Sequence, residues 1–278
     1  MCYNRGMILT DVHTHTSFSP DGTDALCRMV ERAEELGVSY YGIAEHFDYD
    51  YLVNGIAFGE QPAVMIDAKA YFAKAREVQK RTRLNLLVGG EFGFTRNAEA
   101  HALYRQIVEA YRPDFVVNSV HTNEKGDYYY LQAYEGKTKK EAYGEYLSLV
   151  KDSLSAPYPY DVVAHLCYPA RYAPYERREM TLLEFGGQID GILREIVDRD
   201  KILEVNSSAK GTKECFLPGR EIVARYYALG GRKVSFASDA HDVSRILEHR
   251  SETVRILKDI GFSEITVPCR GQHLFIPI

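Results

Sequence analysis

The chain has no tryptophan, and its five cysteines (Cys2, Cys27, Cys167, Cys215 and Cys269) stand far apart with no CxxC pair among them. That spacing fits neither a disulfide framework nor a thiolate zinc site, and it predicts mostly buried thiols in a reducing compartment. Long apolar runs are missing as well. Met1–Thr10 carries none, and no later stretch approaches the roughly 18 apolar residues of a membrane-spanning helix. The expectation is a soluble, cytoplasmic protein with no membrane partner. A basic excess is also missing: the formal net charge is −5 and the pI about 6.0, which argues against a dedicated polyanion binder and a nucleic-acid partner. No Cys or Ser lies in a nucleophile motif, so a covalent route is not expected. There is no internal repeat and no low-complexity linker, and residues 1–278 read as one domain.

What is present suits a sizeable core, with 45% hydrophobic and 26% charged residues. Short β-prone runs alternate with segments of helical period. The strand-like runs are Ile8–Val12, Ser39–Ala44, Leu84–Val88, Asp114–Asn118, Asp161–Ala164, Ile202–Val205 and Lys233–Ala237. The first helix has Thr23 or Asp24 as N-cap, Leu26, Met29, Val30, Ala33 and Leu36 on one face, and Gly37 as its stop. Similar patterns cover Val64–Arg81, Ala98–Tyr111, Lys139–Leu154, Leu182–Asp200, Arg220–Leu229 and Ser244–Ile260. About seven such units predict an α/β fold, a closed barrel of parallel strands with helices outside. Two connections, Phe47–Pro62 and Tyr168–Thr181, are longer than a barrel needs and should lie on its C-terminal face. The 21 tyrosines include the run Tyr128–Tyr130, which reads as core and loop residues rather than a binding surface.

The nine histidines are not scattered. His13, His15, His46, His121, His165 and His241 each fall just past the C-terminal end of a predicted strand, whereas His101, His249 and His273 read as packing or surface residues. Side chains two apart in extended chain share a face, so Asp11, His13 and His15 of "DVHTH" can converge, as can Asp239 and His241 of "SDAH". Asp11 has a second reading, as a turn former or as an outer partner orienting a ligand. Imidazoles mixed with carboxylates suit Zn, Mn or Fe. Glu91 in "GGEFG" follows another apolar strand, where a carboxylate can bridge two ions, and Asp21 lies in the loop leaving the first strand.

The segments "DVHTH", "AEH", "GGEFG", "VNSVH", "VVAHL" and "SDAH", from Asp11 to His241, occur in the order of the motifs of the PHP (polymerase and histidinol phosphatase) superfamily, which this sequence resembles closely. The resemblance implies a distorted (β/α)7 TIM-like barrel and two or three divalent ions. It places His13, His15, Glu91 and Asp239 on one ion, Glu91, His121 and His165 on a second, and Asp21, His46 and His241 on a third. Asp21 stands where many PHP members have His and where the histidinol-phosphatase branch often has Asp. Size and motif spacing are similar to those of the stand-alone histidinol-phosphate phosphatases, and Arg171 and Asn206 match that branch more weakly.

The implied chemistry is hydrolysis of a small phosphorylated substrate, L-histidinol phosphate foremost, by metal-activated hydroxide and without a phosphoenzyme. Arg171 is the expected clamp on the phosphate, Asn206 a further substrate contact, and a metal-bound water, Asp21 or His241 the candidate proton donor to the leaving group, next to Asp239 in the centre. Asp48, Asp50, Glu60 and Glu176 are available for a cationic substrate. Glu45 precedes a ligand and should point away from the centre. Alternatives are a PHP enzyme acting on a phosphotyrosyl protein or a nucleotide, an amidohydrolase-like barrel, and a non-catalytic metal-binding barrel. The amidohydrolase reading lacks a suitably spaced lysine or fourth-strand histidine, and a retired enzyme would be expected to have lost ligands.

Overall fold

Residues 8–58 and 61–278 are described by a computed structural model; Cys2 and Glu60 lie outside them. The first unit shows how local sequence sets the architecture. Strand β1 (Leu9–Thr14) is buried from its second residue on, and helix α1 (Leu26–Glu35) buries Leu26, Met29, Val30 and Ala33, the three- and four-residue spacing expected. Gly37 stops α1 at φ +74°, a left-handed conformation that costs glycine little. The N-cap is Ala25 and not Thr23 or Asp24. Asp24 is engaged elsewhere: its Oδ2 accepts from the backbone N of Val243 at 2.9 Å, tying the first connection to the last.

Six further parallel strands follow, in chain order around one sheet: β2 (Val38–Phe47), β3 (Asn85–Gly93), β4 (Val116–Ser119), β5 (Val162–Val163), β6 (Ile202–Asn206) and β7 (Val234–Ala237). The ring closes only beyond β7, where Asp239 N donates to His13 O at 2.9 Å and His15 N to Ala240 O at 2.8 Å. This is the distorted seven-stranded α/β barrel expected. Between the strands run α3 (Ala68–Gln79), α4 (Ala98–Tyr111), α5 (Lys139–Ser153), α6 (Leu182–Asp198) and α7 (Arg220–Ala228), and α8 (Arg250–Ile260) follows β7.

Three features differ from the pattern-based reading. Helix α3 starts at Ala68 rather than Val64 because Asp67 caps it, its Oδ1 accepting from Ala70 N at 2.9 Å. Helix α8 starts at Arg250 rather than Ser244, since Leu247 and His249 take positive φ and break the helical path. The connection after β2 contains a short helix, α2 (Tyr49–Asn54), too short to carry a period.

The C-terminal tail forms a hairpin, β8 (Glu264–Cys269) with β9 (Gln272–Pro277), not foreseen from sequence. Val267 and Ile276 of the hairpin join Val12, Ala44, Leu87, Phe115, Val117 and Ile202 in one buried cluster that plugs the barrel interior. Arg270 N donates to Asp114 O at 2.7 Å at the start of β4, so the hairpin seals the N-terminal mouth and leaves the C-terminal mouth for chemistry. A second, larger cluster fills the space between sheet and helices. Cys167 is buried and Cys27, Cys215 and Cys269 half-buried, all as free thiols. Among the described residues no helix is long and apolar enough to cross a membrane.

Candidate metal centre

Strand ends bring the predicted residues together at the open mouth. Glu91 lies on β3 as the register partner of His46 on β2. The flanking glycines make room for aromatic packing: a Cβ at Gly89 would lie 2.5 Å from the Phe115 ring. The two oxygens of Glu91 face different groups of histidines. Oε1 is 2.7 Å from His165 Nε2 and 3.2 Å from His121 Nε2. Oε2 is 3.0 Å from His46 Nδ1, 3.4 Å from His13 Nε2 and 3.6 Å from His15 Nε2. Asp239 Oδ1 is 3.4 Å from His15 Nε2. Asp21 reaches His241 Nε2 at 3.1 Å and His46 Nε2 at 3.7 Å, with its side chain 60% exposed where Glu91 is wholly buried. His165 and Asp239 hold left-handed backbone at φ 58° and 54°, strain of a kind that recurs at functional sites.

These residues fit divalent cations on chemical grounds. Nε2 of His13, His15 and His241, Nδ1 of His46 and both oxygens of Glu91 are buried without a hydrogen-bond partner. So many unmet acceptors at one point are costly unless a cation shares them. The groups within joint ligating reach are His13, His15 and Glu91; His46, Glu91 and His121; and His15, His46 and His241. His46 thus sits nearer Glu91, and His15 nearer His46 and His241, than the motif-derived grouping implied.

The charges agree with that use. Burial alone would raise the Glu91 carboxyl, but His13, His165, His121 and His46 outweigh it and hold it well below the usual carboxylate range. Burial, with His46 and His241 beside it, lowers His15 to about 3, so its ring is neutral and its lone pair free. Burial opposes protonation of His13, yet Glu204 and Glu91 carry it well above the ordinary histidine value. His121 is raised to about 9, with Glu91 overcoming its burial.

A layer behind the centre was only partly visible in the sequence. Asp11 does not join the histidines: Oδ1 accepts from Ser238 N and Oδ2 from Leu247 N, each at 3.0 Å, so it fixes the loop that carries Asp239. Glu45 points away from the centre, as expected, and anchors Thr16 and Ser19 by 2.5 Å bonds from both hydroxyls. Ser19 in turn contacts His15 Nδ1 at 3.3 Å and accepts from His46 N at 3.0 Å. Glu204 was missed; its signal was a lone acid inside the apolar strand "ILEVN". It accepts from His13 Nδ1 at 2.5 Å. Asn206, expected to touch substrate, is wholly buried behind Arg171, and its Oδ1 accepts from Arg171 Nη2 at 3.0 Å.

A cavity of about 540 Å³ opens over the centre. Asp21, His46, His121, His165, Asp239 and His241 line one side of it, together with Arg171. The Arg171 guanidinium is 3.3 Å from Asp239 Oδ2 and lies over the Tyr168 ring, while its Nε has no hydrogen-bond partner. The remaining walls include Asp48, Asp127, Tyr51, Tyr129, Tyr130 and Tyr172. Tyr129 and Tyr130 therefore serve the pocket, contrary to the reading of that run, and only Tyr128 is core. Asp127 accepts from Tyr51 Oη, from Tyr168 Oη at 3.2 Å and from Tyr129 N at 2.5 Å. Of the carboxylates offered for a cationic substrate, Asp48 reaches the pocket, Asp50 is buried on Thr122 Oγ1 at 2.8 Å, and Glu176 is exposed away from it. His101 accepts a packing role on Thr95 O at 2.6 Å, and His273 meets Lys233 Nζ at 2.8 Å.

The chain is similar to known proteins along nearly its whole length. A protein of Clostridium acetobutylicum bearing the name probable histidinol-phosphatase is 31% identical over 231 residues, covering 83% of this chain and 86% of its own. The histidinol-phosphatase of Lactococcus lactis subsp. lactis is 26% identical over 265 residues, 92% of each chain. A crystal structure of histidinol phosphate phosphatase from that organism, complexed with zinc, L-histidinol and phosphate, superposes with a TM-score of 0.81 at 25% identity, covering 97% of this chain and 100% of the other. The family model described as PHP domain matches residues 11–208, most of the barrel and all but two of the assigned metal residues, and the chain belongs to that family.

Proposed function

We propose that this protein is a metal-dependent phosphatase that hydrolyses L-histidinol phosphate to L-histidinol and phosphate. The observation that carries the reading is the convergence of five imidazoles on the two oxygens of Glu91, below a pocket with a buried arginine and an acidic, aromatic wall. The relatives named above act, by their names, on histidinol phosphate, and the similarity covers nearly the whole chain.

In this reading His13, His15, Glu91 and Asp239 hold one ion, Glu91, His121 and His165 a second, and Asp21, His46 and His241 a third, with zinc, manganese or iron as the ions. Bound there, divalent ions polarise phosphate oxygens and acidify water. The chain's own residues do the rest. Arg171, held by Asp239 and Asn206, offers its free Nε–H to a phosphate oxygen. The leaving alkoxide takes its proton from water that hydrogen-bonds to Asp21 Oδ2, the most exposed carboxylate of the centre. Asp48 and Asp127, with the tyrosine rings, suit a leaving group that carries an ammonium and an imidazole.

Metal analysis of purified protein and a phosphate-release screen with and without chelator test the enzymatic reading. For the substrate, kcat/KM on histidinol phosphate is compared with a phosphodiester, a mononucleotide and a phosphotyrosyl peptide. Histidinol phosphate should be clearly preferred. Equal rates would remove the substrate assignment, and release from none of them by metal-loaded protein would remove the phosphatase reading.

A further inference from the structure

Glu204 on β6 is wholly enclosed, and the reaction proposed above gives it no part. Its carboxylate nevertheless receives four donors from three elements. Oε2 takes His13 Nδ1 at 2.5 Å. Oε1 takes Asn206 Nδ2 at 3.0 Å and His165 N at 3.3 Å, and lies 3.4 Å from His165 Nδ1. His13 leaves β1 and His165 follows β5, and the ligand assignment above puts them on different ions.

The hydrogen positions follow from the donor inventory around Asn206. Its Oδ1 accepts from Arg171 Nη2 at 3.0 Å and from Ser208 N at 2.8 Å, which sets the orientation of the amide. Its two amide hydrogens then point at Glu204 Oε1 and at Asp239 Oδ2, 3.2 Å away. Both contacts are shorter than the 3.4 Å from Asn206 Nδ2 to His165 Nδ1, so that ring nitrogen keeps its own proton and turns it to Glu204 Oε1. His13 Nδ1 does the same on the other oxygen. The neutral form of each ring then has its lone pair on Nε2, and these two atoms face different oxygens of Glu91, Oε2 for His13 and Oε1 for His165.

We infer that Glu204 is a positioning residue shared by two ion positions: one carboxylate fixes the tautomer and direction of both His13 and His165 and so couples the two halves of the centre. The inference rests on the ligand assignment proposed above. A carboxylate is required rather than a shape of the same size. In Glu204→Gln the amide NH2 faces one of the rings as a donor, favouring the tautomer that carries hydrogen on Nε2, and such a nitrogen cannot ligate.

The test reads zinc and ring protons, without substrate. Zinc-loaded wild-type protein should show Nδ1–H resonances of both His13 and His165 in histidine 1H–15N spectra, slow to exchange with solvent. Glu204→Gln should lose the resonance of the ring that faces the amide NH2. In competition with a chromogenic chelator it should hold the zinc on that ring about 10- to 100-fold more weakly than wild type. A purely space-filling role predicts unchanged zinc affinity in this near-isosteric variant, and that result overturns the inference, as does retention of both Nδ1–H resonances. Should the variant fail to fold, the wild-type spectra still decide, because ring hydrogens on Nε2 of either histidine contradict the proposed tautomers. Wild-type protein that binds zinc but spares histidinol phosphate removes the substrate assignment and leaves this inference standing. Wild-type protein that binds no zinc removes both.

Discussion

His46 and Glu91 are register partners on adjacent strands, and Nδ1 of the first lies 3.0 Å from Oε2 of the second. The pairing places Glu91 at the middle of the centre, with four more imidazoles within 3.6 Å of its oxygens. Glu91→Ala should therefore release bound metal and reduce phosphate release to background. Glu45→Ala acts one step away, through Thr16 and Ser19, and should reduce activity by about tenfold with metal partly retained. Metal content and kcat on both variants check this, and equal losses would overturn the bridging role of Glu91.

Arg171→Ala should lower kcat/KM on the phosphomonoester by about ten- to a hundred-fold, the ~1.5–3 kcal/mol of a charge-assisted bond to phosphate. Arg171→Lys should recover little. A lysine has a single nitrogen and cannot hold Asp239 and Asn206 as the two terminal nitrogens of the guanidinium do.

Asp127→Asn tests the acidic wall. Asp127 lines the pocket among Tyr51, Tyr129 and Tyr168, so KM for histidinol phosphate should rise roughly tenfold while p-nitrophenyl phosphate is hardly affected. A parallel loss on both substrates would show that Asp127 serves the fold and not the leaving group.

Protons compete with metal for the centre. His13 and His46 lie well above the ordinary histidine value and His121 at about 9, so in metal-free protein ions must displace protons at neutral pH. Zinc affinity should rise with pH and level off above about 9, with proton release visible by calorimetry in buffers of different ionisation enthalpy. Folding stability of metal-free protein should run the other way. The contribution of His121 is complete below the unfolded value of 6.5 and is lost as pH rises through about 9, so the metal-free Tm should fall over that window. An affinity independent of pH would contradict both statements.

At the opposite mouth, Asp114 binds Arg76 Nη1 at 2.7 Å, Arg270 Nε at 2.9 Å and Val88 N at 3.0 Å. Asp114→Ala should cost about 2–4 kcal/mol of stability, read by denaturant unfolding, with kcat of the folded fraction unchanged. Burial would raise this carboxyl, but the Val88 amide, Arg270 and Arg76 hold it below its ordinary value of 3.8. Its contribution should thus be present above pH 3.8 and lost as the pH falls through the lower folded value.

The sequence by itself determined the barrel and the ligand types, because both are written in short-range patterns. Apolar strands of β-branched residues, helical spacing such as Leu26, Met29, Val30 and Ala33, and histidines at successive strand ends need only local chain geometry to be read. The cap of α1 differs from the expected one because Asp24 takes a partner distant in sequence, the backbone N of Val243. The hairpin Glu264–Pro277 escaped notice because its inward residues Val267 and Ile276 are paired by long-range packing, not by period.

Only the tertiary structure decided which polar groups face the ions and which stand behind them. Asp11 shares the alternation of His13 and His15, yet two backbone amides of the last connection capture its carboxylate. Asn206 and Glu204 sit in one strand of five residues and become partners of Arg171, His13 and His165 through contacts 35 to 191 residues away. Closing the ring brings the first strand against the last and sets these groups face to face. Hydrogen-bond direction across that closure is a property of three-dimensional proximity, which no spacing along the chain encodes.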